Sequence, residues 1–260
     1  MKVVIFAGGL GTRLSEETGS RPKPMVEIGG KPILWHLMKI YEAYGFNEFI
    51  ICLGYKGYMI KEYFMHFYMH NSDLTIELQN NELNIHYSKT ESFKVTLVDT
   101  GDKTMTAGRL KRVEKYLDGE DFMLTYGDGL SDINVNQLID FHKSHGKIAT
   151  LTAIQPEARF GGMEIKNGGE VTDFREKPKG DGTWINGGFF VLKNEVFKYL
   201  DVPNIDEIMW EEYPLDKLTN DNQLMAYQHH GFWKCMDAMR DKIELENIWN
   251  SGNPYWKIWK

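Results

Sequence analysis

Apolar positions along this chain fall into short runs closed by glycine, and the runs alternate with segments of helical periodicity. Val3-Val4-Ile5-Phe6 enters Ala7-Gly8-Gly9-Leu10-Gly11-Thr12-Arg13-Leu14, which predicts a buried strand running into a glycine-rich turn. Residues 32–44 place Ile33, Leu34, Leu37, Met38, Ile40 and Tyr41 at helical spacing, with Gly45 as the stop. Phe49-Ile50-Ile51-Cys52-Leu53, ended by Gly54, reads as an inner parallel strand, and residues 58–69 read as a second helix. This rhythm predicts an α/β fold with a doubly wound, mostly parallel mixed sheet and right-handed crossovers.

The pattern changes between Leu74 and Val98. Residues 74–78 and 83–87, joined by Gln79-Asn80-Asn81-Glu82, predict a small β insertion. The α/β rhythm resumes with a helix over 108–114 and a strand over 122–126 that ends in Gly127-Asp128-Gly129. A helix over 135–142 and a strand over 149–154 follow. Beyond Phe160 the chain predicts short strands at 163–165, 171–175 and 189–192, then helices near 206–218 and 238–248. The last stretch, 249–260, holds three tryptophans and a tyrosine. Exposed, it is an apolar liability, so it is expected to dock on the body or on a neighbouring subunit.

Composition adds limits to this picture. The 260 residues are 42% hydrophobic and 26% charged, enough for a sizeable core. A net charge of −7 excludes general nucleic-acid binding by an overall basic surface, so any anionic ligand must be held by local cations. The two cysteines, Cys52 and Cys235, define no disulfide framework and fit a reducing, cytoplasmic setting. The opening apolar stretch runs into glycines and Arg13 and does not read as a signal peptide. No run approaches the roughly 18–20 apolar residues of a membrane span.

Candidate chemistry starts in the opening turn. Its glycines let backbone N–H groups approach an anion, and Arg13, with Lys23 in Arg21-Pro22-Lys23-Pro24-Met25, neutralises it, which points to a polyphosphate. Ligands of open α/β sheets bind at the carboxyl ends of strands, where Asp128 also falls. Asp128 is either an Asp-Gly turn residue or an oxygen ligand for a divalent cation such as Mg²⁺. Asp237, just before a helix, reads as an N-cap, as a second such ligand, or as both. Lys177 and Asn186-Gly187-Gly188 are weak signals alone. The opening loop lacks the Lys-Ser/Thr end of a Walker motif and the third glycine of a dinucleotide fingerprint. His66 and His70 are four apart without a zincin glutamate, among Met65, Phe67, Tyr68 and Met69, which favours a packed aromatic helix. No Gly-x-Ser-x-Gly elbow occurs.

Gly8-Gly9-Leu10-Gly11-Thr12-Arg13-Leu14 with Pro22-Lys23-Pro24-Met25 closely resembles the signature of the sugar-1-phosphate nucleotidyltransferases. Gly127-Asp128, Glu176-Lys177-Pro178 and Asn186-Gly187-Gly188-Phe189 resemble later motifs of that family in the same order. Val98-Asp99-Thr100-Gly101, residues 105–112 and 232–242 are similar to its cytidylyl-transferring branch, with Ala107 where a second glycine is usual. The resemblance implies a Rossmann-like nucleotide-diphospho-sugar transferase fold. It also implies transfer of a cytidylyl group from CTP to α-D-glucose 1-phosphate with Mg²⁺, in a homo-oligomer. Residues 1–158 would be mainly the nucleotide-binding half, 159–240 the sugar-binding half, and 241–260 a C-terminal helix and aromatic tail.

Carried over position by position, the resemblance puts Gly8, Gly9, Gly11 and Thr12 beside the nucleotide and Arg13 and Lys23 on its triphosphate. It makes Asp128 and Asp237 the Mg²⁺ ligands. Glu176 and Lys177 contact the sugar phosphate, Gly162 and Asn186 lie near the sugar, and Thr106 and Gly108 border the cytosine. Arg13, Lys23, Asp128 and Lys177 are the catalytic set. Three alternatives stay open: the same transfer from UTP or dTTP, a metal-dependent glycosyltransferase, and an inactive subunit that only binds nucleotide-sugar.

Overall fold

A computed structural model describes residues 1–88, 90–156, 162–175 and 183–259. Strand β1 (Val3–Ala7) is buried at every position. The glycine turn leads to a one-turn helix α1 (Ser15–Thr18) and a two-rung hairpin of β2 (Glu27–Ile28) and β3 (Lys31–Pro32). Helix α2 (Ile33–Glu42) buries its apolar stripe, and Gly45, at φ +86°, ends the turn that follows. Then come β4 (Glu48–Leu53), α3 (Gly57–Met65), α4 (Phe67–His70), β5 (Ser72–Glu77), β6 (Glu82–Ser88) and β7 (Lys94–Asp99). Helix α5 (Thr106–Val113), β8 (Phe122–Tyr126) and β9 (Gly129–Ser131) precede α6 (Val135–His145). Asn134 caps α6 by accepting from the Gln137 N–H at 3.0 Å, and Gly146 closes it at φ +69°. The remainder is β10 (Ala149–Ile154), β11 (Gly162–Ile165), β12 (Val171–Arg175), β13 (Ile185–Leu192), α7 (Tyr213–Asn220), β14 (Leu224–His229), β15 (Trp233–Cys235) and α8 (Met239–Asn250).

Seven strands form the central sheet in the order β14-β10-β13-β8-β1-β4-β7. Only β13 runs against its neighbours; the other pairs are parallel. The sheet is thus mostly parallel and mixed, as the apolar rhythm predicts. The chain builds outward from β1 to β4 and β7, then returns to lay β8 on the other side of β1. That reversal opens a crevice at the carboxyl ends of β1 and β8. Because β13 is reversed, its amino end stands at that same edge, and Ile185 there pairs with Ile154, the last residue of β10.

Alternation along β1 sends Val3, Ile5 and Ala7 to one face and Val4 and Phe6 to the other. The first face packs against α2, α6 and α8, the second against α5 and α7. The aromatic tail docks on the first face. Trp256 is fully buried, stacks on Phe232 with centroids 5.6 Å apart, and meets Trp249 and His36.

Three expectations need correction. The insertion between 74 and 98 is shorter than its pattern suggests. The β5–β6 hairpin ends at Ser88, whereas Lys94–Asp99 is β7, an edge strand of the central sheet whose Val95, Leu97 and Val98 pack inward. The helix over 58–69 breaks at His66. Tyr63, Phe64 and Phe67 pack on one another, but Met65, His66, Tyr68 and His70 are exposed. In the 206–218 region the helix begins only at Tyr213, with Pro214 in its first turn. Among the described residues, no helix is long and apolar enough to cross a membrane.

Candidate active site

Backbone ties at the sheet edge bring three distant segments together. The Gly127 N–H donates to the Phe6 carbonyl at 2.9 Å, which joins the Asp128 loop to the end of β1. On the far side β15 pairs with β9 through Cys235 and Gly129, and the Met236 N–H donates to the Asp128 carbonyl at 3.0 Å. Asp237 is thereby held beside Asp128. The third segment is the turn that starts at Lys23, closed by Met25 N–H to Pro22 O and Val26 N–H to Lys23 O.

Lys23 sits at the centre. Its Nζ lies 2.5 Å from Asp128 Oδ2 and 2.7 Å from Asp237 Oδ1, and the Arg13 Nη1 approaches Asp237 Oδ2 at 3.3 Å. Burial works against the Lys23 ammonium, but the Asp128 charge and hydrogen bonds to both carboxylates outweigh it and push its pKa up. Burial likewise favours a neutral Asp237, yet Lys23 and then Arg13 hold its carboxyl below the usual range. Two carboxylates facing two cations leave the site near neutral.

The same carboxylates are hard oxygen donors suited to a divalent cation. Asp128, Asp237 and Cys235 each offer a ligand atom, and these atoms lie within 4.8 Å of one another. The Lys23 ammonium already occupies a cation position between the two aspartates, so the donor set fits a metal ion. Asp237 is not the cap of α8. Ala238 holds that position, and Asp241, buried in the first turn, reaches back so that its Oδ2 accepts from the Asp237 and Ala238 N–H groups at 3.0 and 2.8 Å.

The glycines of the opening turn serve different needs. Gly11 takes φ +64°, and its carbonyl accepts from the Leu14 N–H and the Thr18 hydroxyl, which bends the turn back with Thr12 and Arg13 exposed. A Cβ on Gly9 would meet nothing within 4 Å, so this residue leaves open space at the crevice. A Cβ on Gly8 would lie 2.2 Å from Arg109 Nη1, and one on Gly54 2.6 Å from the same atom. The Arg109 guanidinium is buried beneath the turn and donates to Leu53 O at 3.0 Å, Thr100 Oγ1 at 2.8 Å and Gly8 O at 3.1 Å. One planar fork thus joins the ends of β1, β4 and β7.

Thr106 opens α5. Its hydroxyl donates to Glu211 Oε2 at 2.8 Å and accepts from the Trp210 N–H at 2.7 Å. The Tyr126 hydroxyl donates to the other oxygen of Glu211 and accepts from Asn186 Nδ2 at 3.3 Å. Burial, then the Glu211 carboxylate, drives the Tyr126 hydroxyl far above its usual range, so it remains a donor. This network runs from Thr106, beside the expected base site, to Asn186, beside the expected sugar site. Gly108 is buried, with Asp206 directly over it. Gly162 begins β11, in register with Arg175. Glu176 and Lys177 lie outside the described residues.

Sequence reasoning missed Arg109, Glu211, Cys235 and Asp241. Cys235 carried a usable signal: it stands two residues before Asp237, and in extended chain such residues share a face. Asp241 carried one too, as an acid in the first turn of a helix, whereas Arg109 and Glu211 had none, since they act through partners far away in sequence.

The chain matches the nucleotidyl transferase family over residues 2–250. It is 56% identical to a glucose-1-phosphate cytidylyltransferase of Salmonella typhimurium across the full length of both chains. A probable glucose-1-phosphate cytidylyltransferase of Bacillus subtilis is 46% identical, again over the whole of each chain. Among solved structures, HddC from Yersinia pseudotuberculosis superposes with a TM-score of 0.67 at 26% identity, over 95% of this chain and 99% of that one.

Proposed function

The chain belongs to the nucleotidyl transferase family, and on that premise we propose that it transfers the cytidylyl group of CTP to α-D-glucose 1-phosphate, releasing pyrophosphate. The observation that carries this reading is the full-length likeness to the Salmonella typhimurium enzyme. The site chemistry agrees with it. A phosphate oxygen of the sugar attacks the α-phosphorus of CTP in line with the departing pyrophosphate. That oxygen is already anionic near neutral pH, so no general base is required.

The chain's task is to bring two polyanions together. Arg13 and Lys23 supply positive charge at the crevice, and Lys23 remains protonated throughout the working pH range. Gly9, Gly11 and Thr12 form the open turn around the nucleotide, and Gly8 shapes it from below. Asp128 and Asp237 hold Mg²⁺, which when bound supplies further charge neutralisation and a template for phosphate oxygens. Thr106 borders the cytosine, while Gly108, buried beneath Asp206, lets that residue pack against the start of α5 and so stands behind the base site, not against it. Gly162, Glu176, Lys177 and Asn186 serve the sugar phosphate. Nucleotide contacts fall mainly in residues 1–158 and sugar contacts in 159–240.

The test is pyrophosphate release with glucose 1-phosphate and CTP, UTP or dTTP in parallel. CTP is expected to give the highest kcat/KM; equal or higher values with UTP or dTTP overturn the nucleotide assignment.

A further inference from the structure

Cys235 puts a sulfur atom into what is otherwise an oxygen site. Pairing of β15 with β9 sets Cys235 opposite Gly129, and the two-residue spacing turns Cys235 and Asp237 to the same side. Its Sγ lies within 4.8 Å of ligand oxygens of both Asp128 and Asp237. The Lys23 ammonium, between the same two carboxylates, marks the place of a cation.

Mg²⁺ is hard, takes oxygen ligands in octahedral geometry and has no use for the sulfur. Zn²⁺ and Co²⁺ bind thiolate readily, and Zn²⁺ favours four ligands in a tetrahedron. We propose that Asp128, Cys235 and Asp237 form a mixed sulfur–oxygen site that takes a thiophilic divalent cation of the Zn²⁺ class through a Cys235 Sγ–metal bond. This rests on the reading of Asp128 and Asp237 as divalent-cation ligands.

As the bond forms, the S–H bond breaks, its electron pair becomes the metal–sulfur bond, and the proton passes to bulk water. Lys23 gives up its place, and nothing is oxidised or reduced. Three protein donors leave a tetrahedral ion one open position, too few to bridge two anionic substrates. Zn²⁺ therefore competes with Mg²⁺ and slows turnover.

The experiment titrates the metal-stripped full-length protein with Co²⁺ and reads its absorbance. Wild type is expected to show an intense near-ultraviolet thiolate-to-cobalt band beside weaker visible bands. Cys235→Ser and Cys235→Ala are expected to lose the near-ultraviolet band and keep the visible ones. Zn²⁺ affinity by calorimetry should fall in both by at least the roughly 10- to 100-fold that loss of an outer partner costs a metal site. Asp128→Asn should weaken all bands. Visible bands without the near-ultraviolet band in wild type overturn the sulfur ligand and leave the carboxylate reading standing. Co²⁺ spectra unchanged in Asp128→Asn overturn the carboxylate reading and the proposal built on it.

Discussion

The Lys23 ammonium meets Asp128 across 105 sequence positions, 2.5 Å from Oδ2, and touches Asp237 Oδ1 on its other side at 2.7 Å. A carboxylate pair without this cation would repel itself in a partly buried site. Lys23 thus holds the aspartates together, and in the proposed reaction it also brings positive charge to the phosphates.

Lys23→Ala is expected to fold and to lose about 10²–10³-fold or more in turnover, as removal of one contributor to an electrostatic site does. Asp128→Ala should behave similarly. Initial rates at saturating CTP and Mg²⁺ check both, and near-wild-type rates in either rule out the assignment.

Gly8 and Gly9 should respond differently to alanine. The Gly8→Ala methyl collides with Arg109 Nη1, and the guanidinium must shift away from Leu53 O, Thr100 Oγ1 and Gly8 O. Loss of this buried network costs about 1–3 kcal/mol and deforms the turn, so both Tm and CTP affinity fall. The Gly9→Ala methyl meets open space, so Tm stays and only ligand binding changes. Thermal melts with and without CTP separate the two; a stable Gly8→Ala would show that Arg109 moves freely.

Arg109→Lys should not rescue the fork. One ammonium cannot reach Leu53 O, Thr100 Oγ1 and Gly8 O in a plane. KM for CTP is expected to rise while KM for glucose 1-phosphate changes less. Equal rises in both point instead to a general loss of structure.

Acid should destabilise the fold through His36. It is fully buried, its Nε2 lies 2.7 Å from Ile28 O, and Trp256 Nε1 donates to its Nδ1 at 3.4 Å, the pattern of a neutral ring. Burial pulls its pKa down from 6.5 to about 4. Between those values the unfolded chain binds a proton that the folded chain does not, so stability falls as pH drops from 6.5 towards 4. Below about 4 both states are protonated and this contribution to the slope ends. Denaturant midpoints across that window, in wild type and His36→Phe, test it; an equal slope in the variant assigns the loss elsewhere.

Much of this architecture is legible in local pattern. The runs in β1 and β4 are continuous and apolar because inner parallel strands are covered on both faces. β7 hid because, as an edge strand, it mixes Lys94 and Thr96 with Val95, Leu97 and Val98. Asp128 and Lys23 were marked by their loops, but their contact is made by sheet topology, which no local spacing encodes. Arg109 falls within the helix that the pattern over 108–114 predicts, where nothing local distinguishes it. Only the meeting of three strand ends makes a place for its guanidinium.

The Ile154–Ile185 rung fixes both ends of the intervening segment at one strand separation. Whatever residues 155–184 contain, the chain leaves and rejoins the sheet through the same paired position. Insertions, deletions or a transplanted loop there leave strand register untouched, and closure entropy grows only slowly with length. The sheet therefore serves as a fixed chassis, and the length of this stretch can change without shifting the strand ends that carry Asp128 and the opening turn.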